Sequence, residues 1–189
     1  MPPRSAIGRL LLFQVVALSF LLTSVPTSAQ PQFSSAFTHL ARDCQDAVKG
    51  EAAGEDIPQK CKGYGRYYVF IYYSAYGCHI AIKNQDNDEM IYLAPEQFDF
   101  SSKKDSVVEW RLANGQPFAV IIKVTKYNTT KAQERGDNPF QKKYKIGDVV
   151  LVKGLKGYGH LNYSLNAATT SDALAKARTL ADQGYGKGR

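Results

Sequence analysis

The sequence predicts an α+β fold: an antiparallel sheet or a small, partly open β-barrel of about seven strands, with one N-terminal and one C-terminal helix. Three observations carry this expectation. Short runs rich in Val, Ile, Tyr and Phe succeed one another over residues 64–166, separated by turn residues. The segments with a helical apolar period lie outside that stretch, over 33–49 and after Thr170. No helical pattern alternates with the strands, which argues against a parallel nucleotide-binding sheet.

A leader precedes the folded region. Arg4 and Arg9 are followed by an apolar run over 10–22, about 13 residues where a membrane-spanning helix needs about 20. Pro26 and the small residues Thr27-Ser28-Ala29 come next, so 1-29 read as a secretory signal peptide cleaved after Ala29. A single globular domain is expected over 30-183 and a flexible tail over 184-189. The expected location is secreted or periplasmic, with the bacterial envelope as first expectation and no membrane insertion after cleavage. The formal net charge is +7, and loss of the two leader arginines lowers it by two. The remaining excess is spread along the chain rather than gathered into a nucleic-acid-binding arm, so no nucleic-acid partner is expected.

Residues 33–49 place Phe37, Leu40, Ala41, Cys44, Ala47 and Val48 on one helical face, opposite Arg42, Asp43, Gln45 and Asp46. An amphipathic helix is expected there, capped by Ser34 or Ser35 and stopped at Gly50. Residues 51–60 have no period and read as a loop. Residues 64–75 and 78–83 form a hairpin about a Tyr76-Gly77 turn. Both faces of 67–73 are bulky and apolar, so this strand is expected to be covered on both sides at the buried centre of the fold. A short strand follows over 89–94.

Over 106–113, Val108, Trp110 and Leu112 alternate with Val107, Glu109 and Arg111. Asn114-Gly115 then predicts a type I′ turn into a strand over 118–127. Residues 129–138 read as a polar loop and 144–155 as a valine-rich strand. In 161–166, Leu161, Tyr163 and Leu165 alternate with Asn162, Ser164 and Asn166. Thr170 or Ser171 is expected to cap the last helix, in which Leu174, Ala177, Arg178 and Leu180 fall at helical spacings before Gly184.

Three cysteines in an exported chain leave one pair and one remainder. With 64–75 as one extended strand, Cys61 and Cys78 would lie about 40 Å apart, far beyond disulfide reach. The expected bond is Cys44 with Cys61, which closes a short loop and ties the first helix to the root of the hairpin, with Cys44 to Cys78 as the next choice. Cys78 is then the free thiol, and His79, adjacent in a strand, points to the opposite face. Cys78 is expected to be inert; a Cys78-dependent hydrolase or transferase, with His160 as base, is the enzymatic alternative.

Lys62-Gly63-Tyr64-Gly65-Arg66 and Lys156-Gly157-Tyr158-Gly159-His160 are similar pentapeptides, each leading into a strand. Their composition suits a tight turn first. It also suits an anion or sugar site, so Lys62, Tyr64, Arg66, Lys156, Tyr158 and His160 are the candidate ligand-binding residues. Tyr67, Tyr72 and Tyr73 are expected in the core rather than on a platform, and Asp86-Asn87-Asp88-Glu89 as a solvated turn. No catalytic residue, metal ligand set or cofactor motif is assigned. The expectation is an exported, disulfide-stapled, non-catalytic binding protein. Its partner is a protein or an anionic or saccharide polymer of the envelope; a structural part in an envelope assembly is the remaining alternative.

Overall fold

The computed structural model describes residues 30–46, 58–74, 77–87, 89–93, 98–99 and 106–188. The leader over 1-29, most of the loop over 51–60 and the Tyr76 side of the hairpin turn lie outside them. Residues Pro31–Arg189 form one compact unit.

Among the described residues, eleven antiparallel strands make one continuous sheet that does not close into a barrel. Its order is β1 (Phe33–His39), β8 (Val107–Ala113), β9 (Gln116–Tyr127), β7 (Phe98–Asp99), β5 (Gly77–Asn84), β4 (Tyr67–Ser74), β3 (Gln59–Cys61) and β2 (Cys44–Asp46). Off this path, β10 (Lys145–Gly154) pairs with β9, β11 (Asn162–Asn166) with β10, and β6 (Met90–Tyr92) with β5. The sheet folds over on itself. Val69, Ile71, Ile80 and Ile82 of β4 and β5 pack in one core with Val108, Trp110, Val120 and Ile122 of β8 and β9. Short β7 links the halves, pairing with Cys78 of β5 and with Thr125 and Lys126 of β9.

The β8–β9 hairpin turns at Asn114 and Gly115, whose φ values of 50° and 77° are those a type I′ turn requires. Beyond the turn, the two strands are covered on both faces. Val108, Trp110 and Leu112 enter the core just described. Phe118, Ala119 and Ile121, with Val150 and Val152 of β10, meet the C-terminal helix α3 (Ala173–Tyr185) on the other face. The buried Trp110 indole donates to Thr38 Oγ1 at 2.9 Å, and that hydroxyl donates to the Lys62 carbonyl at 2.8 Å. One buried threonine thus ties β1, β8 and the turn before β4 together.

The helix expected over 33–49 does not form. Its first part is β1, paired with β8 from Phe33↔Ala113 to His39↔Val107, followed by a single turn, α1 (Leu40–Asp43), and then β2. The spacing of Phe37, Leu40, Ala41 and Cys44 satisfies a helix, but Phe33, Ser35 and Phe37 also alternate with Ser34, Ala36 and Thr38. Partner β8 supplies the hydrogen bonds and burial that decide between the two periods.

The strand expected at the buried centre is also displaced. Over 67–72, the part of β4 whose side chains are described, Val69 and Ile71 are buried, while Tyr68, Phe70 and Tyr72 face outward and are half-buried. The strands covered on both sides are β8, β9 and β10. The 129–138 stretch holds a short helix, α2 (Thr129–Gln133), capped by Asn128, whose side chain accepts from Lys131 N at 3.0 Å.

Helix α3 starts at Asp172, whose Oδ1 accepts from Ala175 N, rather than at Thr170 or Ser171. Its buried stripe is Ala173, Ala177, Ala181 and Gly184. These small residues let the helix axis come close to the sheet, and Leu174 is rotated out of the core. Gly184, expected to end the helix, lies inside it, where a Cβ would strike Leu161 Cδ2. Tyr185 continues the helix and sits among Phe33, Phe118 and Tyr158, at ring distances of 5.6, 4.9 and 5.3 Å. This aromatic cluster packs Tyr185 into the domain, and Gly186–Gly188 follow as a 3-10 turn.

The disulfide joins Cys44 to Cys61 as the paired residues of β2 and β3. The pairing agrees with expectation, but the distance argument behind it does not hold. The chain reverses over 62–66, so β3 runs back along β4 and Cys61 lies opposite Val69 rather than at a far end. Replacing both cysteines by Ala is expected to lower the unfolding free energy by about 3 kcal/mol, as a loop of this length implies. Urea denaturation of oxidised wild type against the double variant checks it; equal midpoints would contradict the staple.

Acid stability follows from three carboxylates. Asp43 is held below the ordinary value of 3.8 by Arg42 and by the His39 backbone N–H, Asp137 by Lys143 and the Tyr144 hydroxyl, and Asp148 by Lys145 and Thr125. A lowered folded-state value means stabilisation that is complete above the unfolded value and fades as pH falls below about 4 through the folded values. Unfolding midpoints are therefore expected to fall over that window, and Asp148→Asn is expected to flatten part of the fall. A wild-type midpoint that stays level down to pH 2 would refute this.

Candidate binding surface

The outward face of the second half-sheet is built by strand alternation. With Val69, Ile71, Ile80 and Ile82 turned into the core, Tyr68, Phe70 and Tyr72 of β4 and Lys83 of β5 lie on the other face, where the small Ala81 is fully covered. Tyr68, Phe70 and Tyr72 follow one another along β4. The Phe70 and Tyr72 rings stack at 6.3 Å with 28° between their planes. The Lys60 ammonium lies 3.7 Å over the Tyr68 ring, a cation–π contact. Tyr68 is paired with Lys83, and Lys83 with Met90, whose sulfur receives the Tyr72 hydroxyl at 3.9 Å. Tyr92 completes the strip at 53 % exposure. Burial raises the Tyr72 hydroxyl above its ordinary pKa, Tyr92 adds to the shift, and Lys83 opposes it. The charged side chains of the strip, Lys60 and Lys83, are cationic.

Two grooves flank this strip. One, of about 600 Å³, lies at the root of the hairpin between β1 and the 62–66 turn, where Lys62, Tyr64 and Tyr68 meet Phe37 and Arg42. Lys62 is exposed, and Arg42 is engaged by its neighbour Asp43 at 2.9 Å. The other, of about 310 Å³, is lined by Glu89, Tyr92, Lys153 and Lys156 and the glycines beside them, with the Lys153 ammonium donating to Asn162 Oδ1 at 2.7 Å. Tyr67 stands between the two: its ring packs on Trp110 at 6.2 Å and its hydroxyl takes a backbone hydrogen bond from Lys156. Burial raises Tyr67 above the ordinary phenol value, and that hydrogen bond lowers it in part.

The two pentapeptides thus come together, but they are not structural copies. A Cβ at Gly63 would strike the Tyr67 carbonyl, and a Cβ at Gly154 would strike that of Tyr158. Tyr67 N and Tyr158 N close matching turns onto Tyr64 O and Leu155 O, at 3.1 and 2.8 Å. The structural counterpart of 63–67 is therefore 154–158, shifted against the sequence repeat.

The six candidate residues divide accordingly. Lys62 and Tyr64 line the larger groove and Lys156 the smaller. Arg66 is exposed and paired with Asp86 at 2.6 Å. Tyr158 stacks on Tyr185, and His160 Nε2 lies 2.9 Å from the Gly184 carbonyl, so both fasten the end of α3. Cys78 is placed in β5 opposite Tyr73, and its side chain lies outside the described residues. Phe70 and Tyr92, prominent on the strip, were not singled out by sequence. The alternation of 68, 70 and 72 was visible, but equally bulky residues at 67, 69 and 71 hid which set faced out.

Among the described residues, no three His, Cys, Asp or Glu side chains converge on a metal position, and no helix is long and apolar enough to cross a membrane. No protein family, characterised protein or solved structure matches this chain.

Removing the bridging hydroxyl with Tyr67→Phe is expected to cost about 1 kcal/mol of stability, the net worth of one hydrogen bond. Faster amide exchange at Lys156 should accompany it. Unchanged exchange at Lys156 would show that the hydroxyl does not hold the 155–158 turn.

Proposed function

We propose that this is an exported, non-catalytic binding protein that holds an anionic saccharide polymer along the outer face of β3–β6. The observation that carries the reading is the half-exposed strip of Tyr68, Phe70, Tyr72 and Tyr92 interleaved with Lys60 and Lys83. Aromatic faces stack on the apolar faces of sugar rings, and ammonium groups pair with carboxylate or sulfate substituents. Lys62 and Lys156 in the flanking grooves extend the positive charge at either side. The leader read from the sequence and the disulfide fit an oxidising compartment outside the cytoplasm.

Affinity electrophoresis in gels containing dextran sulfate, with neutral dextran as control, tests this. Retardation by dextran sulfate is expected, and Tyr68→Ala with Tyr92→Ala should weaken it about tenfold, or ~1.4 kcal/mol, without altering net charge. Retardation that the double variant leaves unchanged would reduce the interaction to general charge attraction, and no retardation would remove the reading. Recovery of a mature chain beginning at Gln30 from outside the cytoplasm is the expected result for export.

A further inference from the structure

A third cavity, of about 430 Å³, opens between β1, β8 and β9 and the first turns of α3. Phe37, Val107, Ile121 and Leu174 supply its apolar wall, and His39, Glu109, Lys123 and Arg178 the rest. Phe37 at 52 % exposure and Leu174 at 37 % are two of the four large exposed apolar side chains among the described residues. That two of these border one concavity sets it apart from scattered surface hydrophobes. Leu174 is exposed because the alanine stripe of α3 takes the core-facing position.

The charges around this cavity are unequal. Glu109 is only 4 % exposed, and its carboxylate is saturated: Oε1 accepts from Ser35 Oγ at 2.6 Å and Arg178 Nε at 2.7 Å, and Oε2 from Arg178 Nη2 at 2.9 Å. It has little left to offer a ligand. Lys123 reaches the cavity and is loosely held, 3.5 Å from Asp148, which Lys145 and Thr125 already engage at 2.8 and 2.9 Å. His39 lies at the rim. The cavity therefore offers an apolar body with one ammonium held only by a 3.5 Å contact to the already engaged Asp148, and its single carboxylate is neutralised by Arg178.

We propose that this cavity binds a small amphiphilic monoanion, an aliphatic or aryl carboxylate whose apolar part lies against Phe37, Ile121 and Leu174 and whose head group pairs with Lys123. The volume suits a compact ligand of that class. Phe37 also lines the groove at the hairpin root, so the two sites share that residue, while Ile121, Lys123 and Leu174 line this cavity and not that groove.

Calorimetric titration of the purified protein with octanoate, and with octanamide as its uncharged counterpart, tests the proposal. Saturable one-site binding of octanoate is expected, with octanamide weaker by about tenfold or more. Lys123→Glu and Leu174→Asp, both at exposed positions that folding tolerates, should each weaken octanoate by a similar factor. Tyr92→Ala, on the far strip, should leave it unchanged. Absence of saturable binding, equal affinity for the amide, or octanoate binding that neither cavity variant weakens would overturn the proposal. Failure of dextran sulfate binding would leave it intact.

Discussion

The fold rests on one constraint: β8 and β9 must satisfy two different environments at once. Strand alternation sends Val108, Trp110 and Leu112 into the core shared with β4 and β5, and turns Glu109 and Arg111 toward α3. The second set places charge where the helix must dock. That charge is matched one helical turn apart: Arg178 holds Glu109, and Asp182 receives Arg111 through two bonds of 2.7 and 2.6 Å. Ser35 of β1 joins both pairs, donating to Glu109 and accepting from Arg111 at 2.9 Å. Such a forked arrangement adds directional constraint to the alanine packing beside it. A helix slid by one residue along the sheet would leave a buried carboxylate without a partner, which costs several kcal/mol. The ion pairs therefore set the register of α3, and the alanines set its distance.

Both candidate sites follow from where this arrangement leaves surface unfilled. On the α3 side, the small-residue stripe draws the helix in and leaves Leu174 outside, so a cavity remains between helix, β1 and β9. On the other side, nothing among the described residues packs over the outer face of β3–β6, and the aromatic set of β4 is left half-wet. The two surfaces differ in chemistry for a physical reason. The first is walled by aliphatic and aromatic carbon with its single carboxylate neutralised, and the second exposes ring faces beside ammonium groups.

Sequence reasoning succeeded where one residue type has one use. Asn114-Gly115 read correctly because two consecutive left-handed residues suit few other pairs, and the alternation over 107–112 read correctly because polar and apolar residues there differ sharply. It failed where two periods coexist. Residues 33–39 satisfy both a helical and a strand spacing, and only the presence of β8 distinguishes them. In 67–73 every residue is bulky, so alternation exists without contrast and the buried face was not legible. For the candidate surface, Lys62, Tyr64 and Lys156 were legible as residues near turns. The strip was not, since its membership depends on β6 bringing Tyr92 beside Ala81 and on β3 bringing Lys60 beside Phe70. Leu174 was misread for a similar reason: leucine outranks alanine in hydrophobicity, but here close approach decides the buried face.

The bond between Cys44 and Cys61 has a topological effect as well. It closes residues 44–61 into a covalent ring, and the remainder of the chain leaves that ring at two adjoining points, β1 through α1 on one side and β4 on the other. A single backbone cut anywhere inside the ring would yield two chains still joined as one covalent molecule. The enclosed segment is therefore a place where a backbone cut can be absorbed without releasing β1 from β8.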